Sequence, residues 1–296
     1  MSSQSQFPLV SLITINYNAQ GETDQFLKSC ANLTYPNYQI IVVDNGSRDP
    51  FKKKSNITEI KLVHSKVNLG FAGGNNLGLK YSSGEYVIFI NNDTIVSPDF
   101  IQPIIKILST QKNAALASPK VLFEDGKTIQ YAGAKAINPW TGRGKRLGLG
   151  ESDYGQYDIN EPTELGHGAC LAARKAVIDE VGEMPEDYFL YYEEHDWTEQ
   201  MKNAGYQIYY VGKSNIIHKE SRSIGQESPL KAYYMIRSRI LYLRRNCKGL
   251  EKFSSLLLLI VLSLPKDILK YTFKGQFDLI KATLRGVFSH FKLRVK

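Results

Sequence analysis

The sequence predicts an α/β fold: a mainly parallel central sheet flanked by helices, with a helical extension at the C-terminus. Short β-branched apolar segments alternate with segments of helical period, which is the pattern of a parallel sheet with helices on both faces. The composition, 43% apolar and 22% charged over 296 residues, supports a well-packed core. A chain of this length can form one large domain or one domain with an extension.

The first half of the chain supplies most of the predicted strands. Val10–Asn16 reads as a buried first strand, and a helix is predicted over 22–33, with Pro36 beyond it. Further strands are predicted at 39–43, 59–64 and 85–90, and further helices at 75–81 and 98–109. Three of the strands run directly into Asn16, Asp44 and Asn91. Polar residues at such strand ends are where open α/β sheets bind ligands.

The second half of the chain is less regular. Residues 138–163 are rich in Gly, Tyr, Asp and Asn, which predicts a long loop of the kind that often forms an active-site lid. Helices are predicted over 175–182 and 196–204, each closed by a glycine, and a strand over 207–211 leads toward His218.

The charge is distributed unevenly. Residues 1–229 contain 22 Lys and Arg against 26 Asp and Glu, whereas residues 230–296 contain 15 against 3. We therefore predict a body over 1–229 and a basic amphipathic helical extension over 230–296. Such an extension can lie on an anionic membrane, pack on the body or form a homodimer. Nucleic-acid binding is disfavoured because the aromatic residues from Phe277 to Phe291 follow a helical period.

The chain carries no strong mark of secretion. Cys30, Cys170 and Cys247 are far apart, without metal-ligand spacing or an even disulfide set. The first ten residues lack an apolar signal core. The longest apolar run, Phe253–Leu264, is shorter than the ~20 residues of a spanning helix. We expect a cytoplasmic protein, peripheral on the inner face of the cell membrane.

Two glycine-containing segments could contact a nucleotide. Asp44-Asn-Gly-Ser47 follows a strand, so its carboxylate could accept hydrogen bonds from a base or ribose, although Asn-Gly is also a turn signal. The segment 68–76, NLGFAGGNN, precedes a helix, and its glycines would let the backbone approach phosphate. It contains neither GxGxxG nor a P-loop lysine, which disfavours a dinucleotide-dependent oxidoreductase.

A polar triplet could bind a divalent cation. Asn91-Asn-Asp93 follows a buried strand, and magnesium sites commonly use one or two carboxylates together with substrate phosphates. The alternative is an Asx turn that closes the strand. His218 follows an apolar segment, and its neutral imidazole would suit a metal already held by Asp93.

The segment 188–197, YFLYYEEHDW, joins aromatic residues to three acids at the start of a helix. Glu193, Glu194 and Asp196 could simply complement the helix dipole. A carboxylate beside aromatic side chains could also serve as a general base whose pKa is set by partial burial.

Taken in order, these residues resemble the inverting family 2 glycosyltransferases of the GT-A fold, and among them the rhamnosyltransferases. The resemblance covers about residues 8–245. It implies a hexosyltransferase that uses a nucleotide-sugar donor, Mg²⁺ or Mn²⁺, and a glycan or lipid-linked glycan acceptor in cell-surface polysaccharide synthesis. It also divides the body into a nucleotide-sugar region, about 8–110, and an acceptor and base region, about 111–229.

The resemblance also assigns roles by motif. The nucleoside would be held by Thr14, Asn16 and Asp44, and the sugar or nucleotide would lie near Asn68, Gly70 and Asn75. The other donor-site candidates are Asn18, Asn45, Ser47, Asn92 and Arg174. The metal would be held by Asp93 and His218. The base would be Glu194, with Glu193 beside it and Asp196 as the alternative.

Two positions depart from the family pattern. The metal motif is often richer in aspartate, and here two of its three residues are Asn, which lowers the negative charge on a cation. The base position is Glu instead of Asp, so its reach differs by one methylene. dTDP-rhamnose is the first expectation for the donor, a UDP-sugar the second, and a nonenzymatic membrane-associated nucleotide- or glycan-binding scaffold is the competing function.

Overall fold

The computed structural model describes residues 7–54, 59–219 and 227–291. Within them the strands are β1 Val10–Asn16, β2 Tyr38–Asn45, β3 Ile60–Ser65, β4 Tyr86–Ile90, β5 Thr94–Val96, β6 Ala114–Leu122, β7 Ile129–Tyr131, β8 Ala134–Asn138, β9 Arg143–Arg146, β10 Asn160–Thr163, β11 Cys170–Arg174 and β12 Gln207–His218. The α-helices are α1 Gln20–Cys30, α2 Gly70–Leu79, α3 Ile101–Thr110, α4 Lys175–Val181, α5 Glu193–Asn203, α6 Pro229–Asn246, α7 Gly249–Leu258, α8 Leu264–Phe273 and α9 Phe277–Phe288.

The central sheet has the strand order β10-β12-β6-β11-β4-β1-β2-β3, with β5 added to β12 and β7 added to β6. Strands β1 to β4 form its parallel half, in which β1 pairs with both β2 and β4. Strand β11 runs antiparallel between β4 and β6, so the sheet is mixed. Strands β8 and β9 form a separate two-stranded ribbon.

Successive side chains along each strand point to opposite faces of the sheet, so an apolar core forms on each face. In β1, Leu12 belongs to one apolar cluster, while the next residue, Ile13, belongs to the cluster on the opposite face. Trp197 of α5 is fully buried and packs edge-on against Phe89, with ring centroids 5.7 Å apart. The helix that carries the predicted base is therefore anchored on the sheet.

The structure confirms the α/β architecture and corrects parts of the prediction. The predicted loop over 138–163 contains β9 and β10, and its acids Asp153 and Asp158 are tied to the buried Lys120, with Nζ 2.7 Å from Asp153 Oδ2. The polar segment 138–163 is thus held in place by Lys120, a residue to which the sequence analysis gave no role. Strand β12 also continues beyond the predicted 207–211 as far as His218.

Helix α6 of the basic extension packs on the body, and α9 packs on α6. Helix α6 buries Leu241 and Leu243 in one cluster with Tyr188, which precedes α5. Helix α9 crosses α6 closely at Gly286, where an added Cβ would lie 2.4 Å from Cγ2 of Ile236. For α6 the structure shows the packing on the body that we gave as one alternative.

Helices α7 and α8 are joined by a π-helical turn, Leu259–Ser263. None of the residues of α8 is buried. Across the described ranges, no helix combines the length and the apolar character needed to cross a membrane.

Candidate active site

The ends of β1 and β2 form a polar pocket floor. Asn16 and Asp44 are register partners, and Asn16 Nδ2 donates to Asp44 Oδ1 at 2.9 Å and to Ser47 Oγ at 3.1 Å. Thr23 Oγ1 donates to Asn16 Oδ1 at 2.8 Å. The backbone N–H of Asn18, a residue with φ of 52°, also donates to Ser47 Oγ. The structure thus brings together two of the predicted nucleoside residues, Asn16 and Asp44, and two other donor-site candidates, Asn18 and Ser47.

Thr14 lies two residues before Asn16 on β1 and so faces the same side of the sheet. It is fully buried, and its Oγ1 has no hydrogen-bond partner among the described residues. Thr14 therefore lies beneath the pocket floor and does not form its surface.

The glycine-rich turn before α2 is held by two asparagines. Asn45 Nδ2 donates to Asn68 Oδ1 at 3.1 Å and to the carbonyl of Gly70 at 3.0 Å. Asn68 Oδ1 accepts from the N–H of Gly70. Both side chains thus shape the turn. Asn75, within α2, is buried, and its Nδ2 has no hydrogen-bond partner in the described part of the chain.

The predicted metal ligands converge although they are far apart in sequence. His218 Nε2 lies 3.3 Å from Asp93 Oδ1 and 3.3 Å from Asn91 Nδ2. On the opposite side of the ring, His218 Nδ1 lies 2.8 Å from Gln130 Oε1. Donation of Nδ1–H to Gln130 leaves the Nε2 lone pair facing Asp93, which is the tautomer that a metal ligand requires. Asn92 reaches back to α1, where its Nδ2 donates to Thr23 Oγ1.

These residues fit a divalent cation only in part. No group of three or more His, Cys, Asp and Glu residues capable of holding a metal is found in the described ranges. Asp93 and His218 would provide two ligands. That number matches a Mg²⁺ or Mn²⁺ ion that takes its remaining ligands from water and a bound diphosphate.

The loop before β11 connects this pair to the predicted base. The N–H of Asn91 donates to the carbonyl of Ala169 at 3.0 Å, and His167 lies with its ring centroid 6.0 Å from that of His218. Gly168 packs on Glu194, since an added Cβ would lie 3.3 Å from Glu194 Oε1. A short loop, residues 167–169, thus contacts Glu194 on one side and Asn91 and His218 on the other.

Burial is the main cause that lowers the pKa of His167 well below its ordinary value, and nearby His218 and Arg146 add to it. The His167 ring is therefore neutral. Its Nδ1 accepts from the N–H of Ala169, which fixes the ring in the loop.

Two adjacent carboxyl groups at the start of α5 have opposite pKa shifts. Burial and the negative charge of Glu194 raise the pKa of Glu193 well above its ordinary value. Burial alone would also raise the pKa of Glu194. The charge of His195 and hydrogen bonds from His195 and the helix N-terminus outweigh that effect and lower it. Opposite pKa shifts of two neighbouring carboxyl groups give them different protonation states. Glu193 keeps its proton, whereas Glu194 is ionised and able to accept one.

The backbone that leads into these acids is strained. Phe189, Tyr191 and Tyr192 all have positive φ values, of 65°, 65° and 71°. The left-handed region is unfavourable for bulky residues, and such strain concentrates at functional sites. The carbonyl of Phe189 accepts from the N–H of Phe71 at 2.7 Å, so the strained segment is tied to the glycine-rich turn.

Helix α6 supports the same segment from its other side. Ser238 Oγ donates to the carbonyl of Leu190 at 2.9 Å, and Phe189 stacks on Tyr234 with ring centroids 4.8 Å apart. Asp196 is also held by α6, because its Oδ1 accepts from Asn246 Nδ2 at 2.8 Å and its Oδ2 lies 3.3 Å from Arg245 Nη1. Asp196 thus orients its helix, the other role that a first-turn acid can have.

Arg174 is not brought to the site. Strand β11 is antiparallel to β4, so Arg174 pairs with Tyr86 at the start of β4, whereas Cys170 pairs with Ile90 beside Asn91. Arg174 donates instead to the carbonyl of Lys112 at 2.6 Å. The antiparallel direction of β11, which the sequence did not reveal, removes this residue from the donor-site candidates.

Sequence reasoning missed three features of the site: Gln130, the loop at Gly168 and the support from α6. Gln130 carried a signal, as a lone amide between Ile129 and Tyr131 in a short apolar segment. The loop and helix contacts depend on tertiary packing and have no local signature.

Comparison with known proteins identifies the family of the chain. The model of the family described as "Glycosyl transferase family 2" matches residues 11–182. A dTDP-rhamnosyl transferase of Shigella flexneri is 26% identical over 272 residues, covering 85% of this chain and 86% of the relative. An N-acetylglucosaminyl-diphospho-decaprenol L-rhamnosyltransferase of Mycobacterium tuberculosis is 24% identical over 248 residues, covering 74% of this chain and 78% of the relative.

The fold is shared with solved glycosyltransferases. The structure of the Pyrobaculum calidifontis mannosyltransferase in complex with GDP-Man and Mn²⁺ matches with a TM-score of 0.58 and 15% identity, over 96% of this chain and 88% of that one. The fold is therefore GT-A. Because the family model covers more than half of its length, the chain belongs to glycosyl transferase family 2.

Proposed function

We propose that this glycosyltransferase moves a sugar, with inversion at the anomeric carbon, from a nucleotide-sugar donor to an acceptor hydroxyl that Glu194 deprotonates. The observation that carries the proposal is the contact of Gly168 with Glu194, because the same loop hydrogen-bonds Asn91 next to the Asp93–His218 pair. One loop thus contacts both the proposed base and the residue that precedes the proposed diphosphate-binding segment, which supports the assignment.

The nucleoside end of the donor would lie over Asn16 and Asp44. Asp44 Oδ1 already accepts from Asn16, and its second oxygen, 3.5 Å from His64 Nδ1, would accept from a base or ribose. The first choice of donor is dTDP-rhamnose, which the name of the Shigella relative supports, and the second is a UDP-sugar.

A divalent cation, Mg²⁺ or Mn²⁺, would be held by Asp93 and His218. When bound, it would supply positive charge to the departing diphosphate. The solved mannosyltransferase structure is a complex with GDP-Man and Mn²⁺, which supports this choice. Because the motif Asn91-Asn92-Asp93 contains only one carboxylate, the protein supplies little negative charge to the cation. The donor diphosphate would supply the remaining negative charge.

The protein's part in the chemistry is positioning and proton transfer. Glu194 accepts the proton of the acceptor hydroxyl as that oxygen attacks the anomeric carbon from the face opposite the leaving diphosphate. Holding the two substrates in this line provides a large part of the rate. Gly168 leaves space at Glu194, and the buried Glu193 keeps its proton, so one carboxylate faces the acceptor.

The acceptor would be a glycan or a lipid-linked glycan used in cell-surface polysaccharide synthesis, reached from the cytoplasmic face of the membrane. Exposed apolar residues of α7, α8 and the π-helical turn between them support this location, among them Phe253, Leu262, Leu269 and Phe273. Lys266 on α8 would add attraction to anionic lipid.

The test is turnover with purified protein and a panel of nucleotide sugars. Glycoside formation should be matched by release of a nucleoside diphosphate. Glu194→Gln and Asp93→Asn should each lower turnover by about 100-fold or more. Their melting temperatures should stay close to that of the wild type. Glu183→Gln, an exposed glutamate before α5, is the matched control and should retain turnover.

The competing function is a nonenzymatic membrane-associated scaffold that only binds a nucleotide or glycan. It would raise the melting temperature on donor binding without consuming any donor–acceptor pair. Release of pyrophosphate would instead indicate nucleotidyl transfer. Near-normal turnover of a folded Glu194→Gln enzyme would rule out Glu194 as the base.

A further inference from the structure

A cavity of about 300 Å³ lies among the C-terminal helices, and we call it the C-terminal cavity. Helices α6, α8 and α9 supply most of its lining, and Tyr192 also belongs to it. Tyr192 directly precedes Glu193 and Glu194 in the chain. The cavity therefore adjoins the strained segment that carries the proposed base, on the side facing the C-terminal helices.

The cavity has a surplus of available positive charge. Arg239 Nη2 donates to the carbonyl of Gly142 at 3.3 Å, and its buried Nε has no hydrogen-bond partner within the described residues. Neither Arg239 nor Lys231 forms an ion pair inside those ranges. The guanidinium fork thus has donors left for an oxyanion.

Two acids also line the cavity, and they do not neutralise this surplus. Glu227 accepts from Lys270 at 2.8 Å and from Lys274 at 3.2 Å, which consumes its charge. Asp267 is exposed at the start of α8. The remaining positive groups, Arg239 and Lys231, favour a ligand with more than one negative oxygen.

The lining also contains apolar residues, and helix α8, which supplies part of it, carries exposed apolar side chains outside the cavity. Met235, Ile236 and Leu279 lie beside the charged groups in the cavity. On α8, Leu269 is 56% exposed and Phe273 is 88% exposed. A charged recess next to an uncovered apolar helix face matches a ligand with an anionic head and an apolar chain.

We propose that the C-terminal cavity binds the phosphate or diphosphate of a lipid-linked acceptor, with its chain along α8 and its sugar extending past Tyr192 to Glu194. This inference rests on the proposed function. The bond changes stay at the sugar: the acceptor hydroxyl gives its proton to Glu194, and its oxygen bonds to the donor's anomeric carbon. The bond from that carbon to the nucleoside diphosphate breaks, while the acceptor phosphate is unchanged.

The test is direct binding of farnesyl diphosphate, a soluble amphiphile with the required head and chain, to the full-length chain without divalent cations. The wild type should bind it. Arg239→Gln and Lys231→Gln should each bind it about tenfold more weakly. Lys281→Gln removes the same charge from the exposed side of α9 and should bind like the wild type.

Two further probes distinguish the sources of binding. Farnesol lacks the head and inorganic diphosphate lacks the chain, so both should bind at least about tenfold more weakly than farnesyl diphosphate. If farnesol binds as tightly as farnesyl diphosphate, the protein recognises only the apolar chain. If inorganic diphosphate binds as tightly as farnesyl diphosphate, the cavity is only an anion site. Either result overturns the proposal, as does unaltered binding by both Arg239→Gln and Lys231→Gln.

This experiment is separate from the test of the proposed function. If the wild type turns over no donor, the proposed function fails, yet the binding series still decides what the cavity holds. If transfer to a lipid diphosphate acceptor occurs and Arg239→Gln leaves its KM unchanged, the function stands and the acceptor site lies elsewhere. The melting temperature of each variant verifies that it is folded.

Discussion

Gln130 Oε1 lies 2.8 Å from His218 Nδ1, on the side of the ring opposite to Asp93. This contact sets which nitrogen of His218 carries the proton. Partners behind a metal-binding histidine fix the ring's orientation and raise its basicity. Gln130 therefore belongs to the proposed cation site although it does not itself face the cation.

We expect Gln130→Ala to weaken Mn²⁺ binding roughly 10- to 100-fold, because His218 would be free to rotate and to change tautomer. Calorimetric titration of Mn²⁺ in the presence of a nucleoside diphosphate measures the effect. Gln111→Ala, at the exposed end of α3, is the control and should leave the affinity unchanged. Wild-type affinity in Gln130→Ala would argue against His218 as a ligand.

Glu193 should make stability fall as the pH rises. Burial and the charge of Glu194 raise its pKa above the ordinary 4.5, so the folded chain keeps a proton that the unfolded chain loses. This contribution to the free energy of unfolding is complete below about pH 4.5 and is lost as pH rises through the folded pKa.

Glu193→Gln removes that titration while keeping the shape of the side chain. Its melting temperature should therefore decline less than that of the wild type between about pH 5 and pH 8. Thermal unfolding across this range measures the difference, and Glu183→Gln should follow the wild-type profile. Parallel profiles for Glu193→Gln and the wild type would mean that Glu193 titrates as an ordinary carboxyl.

Gly70→Ala should disturb both the glycine-rich turn before α2 and the aromatic segment before Glu194. Gly70 has φ of +76°, and an added Cβ would lie 2.3 Å from the carbonyl oxygen of Phe189. Strain of this kind costs about 1–3 kcal/mol, and relief of the overlap would shift the segment before Glu194. Gly21→Ala, in α1 with nothing within 4 Å, is the control and should be neutral or stabilising.

Chemical denaturation and steady-state kinetics test Gly70→Ala together. We expect a lower free energy of unfolding, a higher KM for the donor and a lower kcat. A variant with normal kinetics and normal stability would show that the turn and the aromatic segment can separate freely.

Asp196→Asn should separate orientation from proton transfer. Both carboxylate oxygens of Asp196 are engaged by Arg245 and Asn246, so the substitution should lower stability by about 1–3 kcal/mol. We expect its kcat at the optimal pH to stay within about tenfold of the wild type. If the Asp196→Asn enzyme is folded and as inactive as Glu194→Gln, Asp196 is the better candidate for the base.

The parallel half of the fold could be predicted from sequence because its strands carry their own signal. Val10–Asn16 and Tyr86–Ile90 are short, β-branched and end in polar residues, and these ends supplied most of the site. Strand β6, AALASPKVL, carries no such signal, because its alanines, proline and lysine suit a strand only after Lys120 finds its acidic partners.

The proposed base could also be predicted from the sequence, whereas the residues that hold it in place could not. Glu194 was recognisable as an acid after aromatic residues at a helix start. Its neighbours could not be inferred, because Gly168 and Ser238 reach the segment from distant parts of the chain. The direction of β11 was equally inaccessible, which is why Arg174 was misplaced.

The contacts of α6 set where this protein can be divided. The change in charge composition suggested a boundary at residue 229, yet Ser238 and Asn246 hold the backbone and the helix on which the proposed base lies. A chimaera that exchanges its tail with a relative at position 229 would discard these supports. A junction placed after Cys247, where α6 has ended, would keep them and exchange α7, α8 and α9.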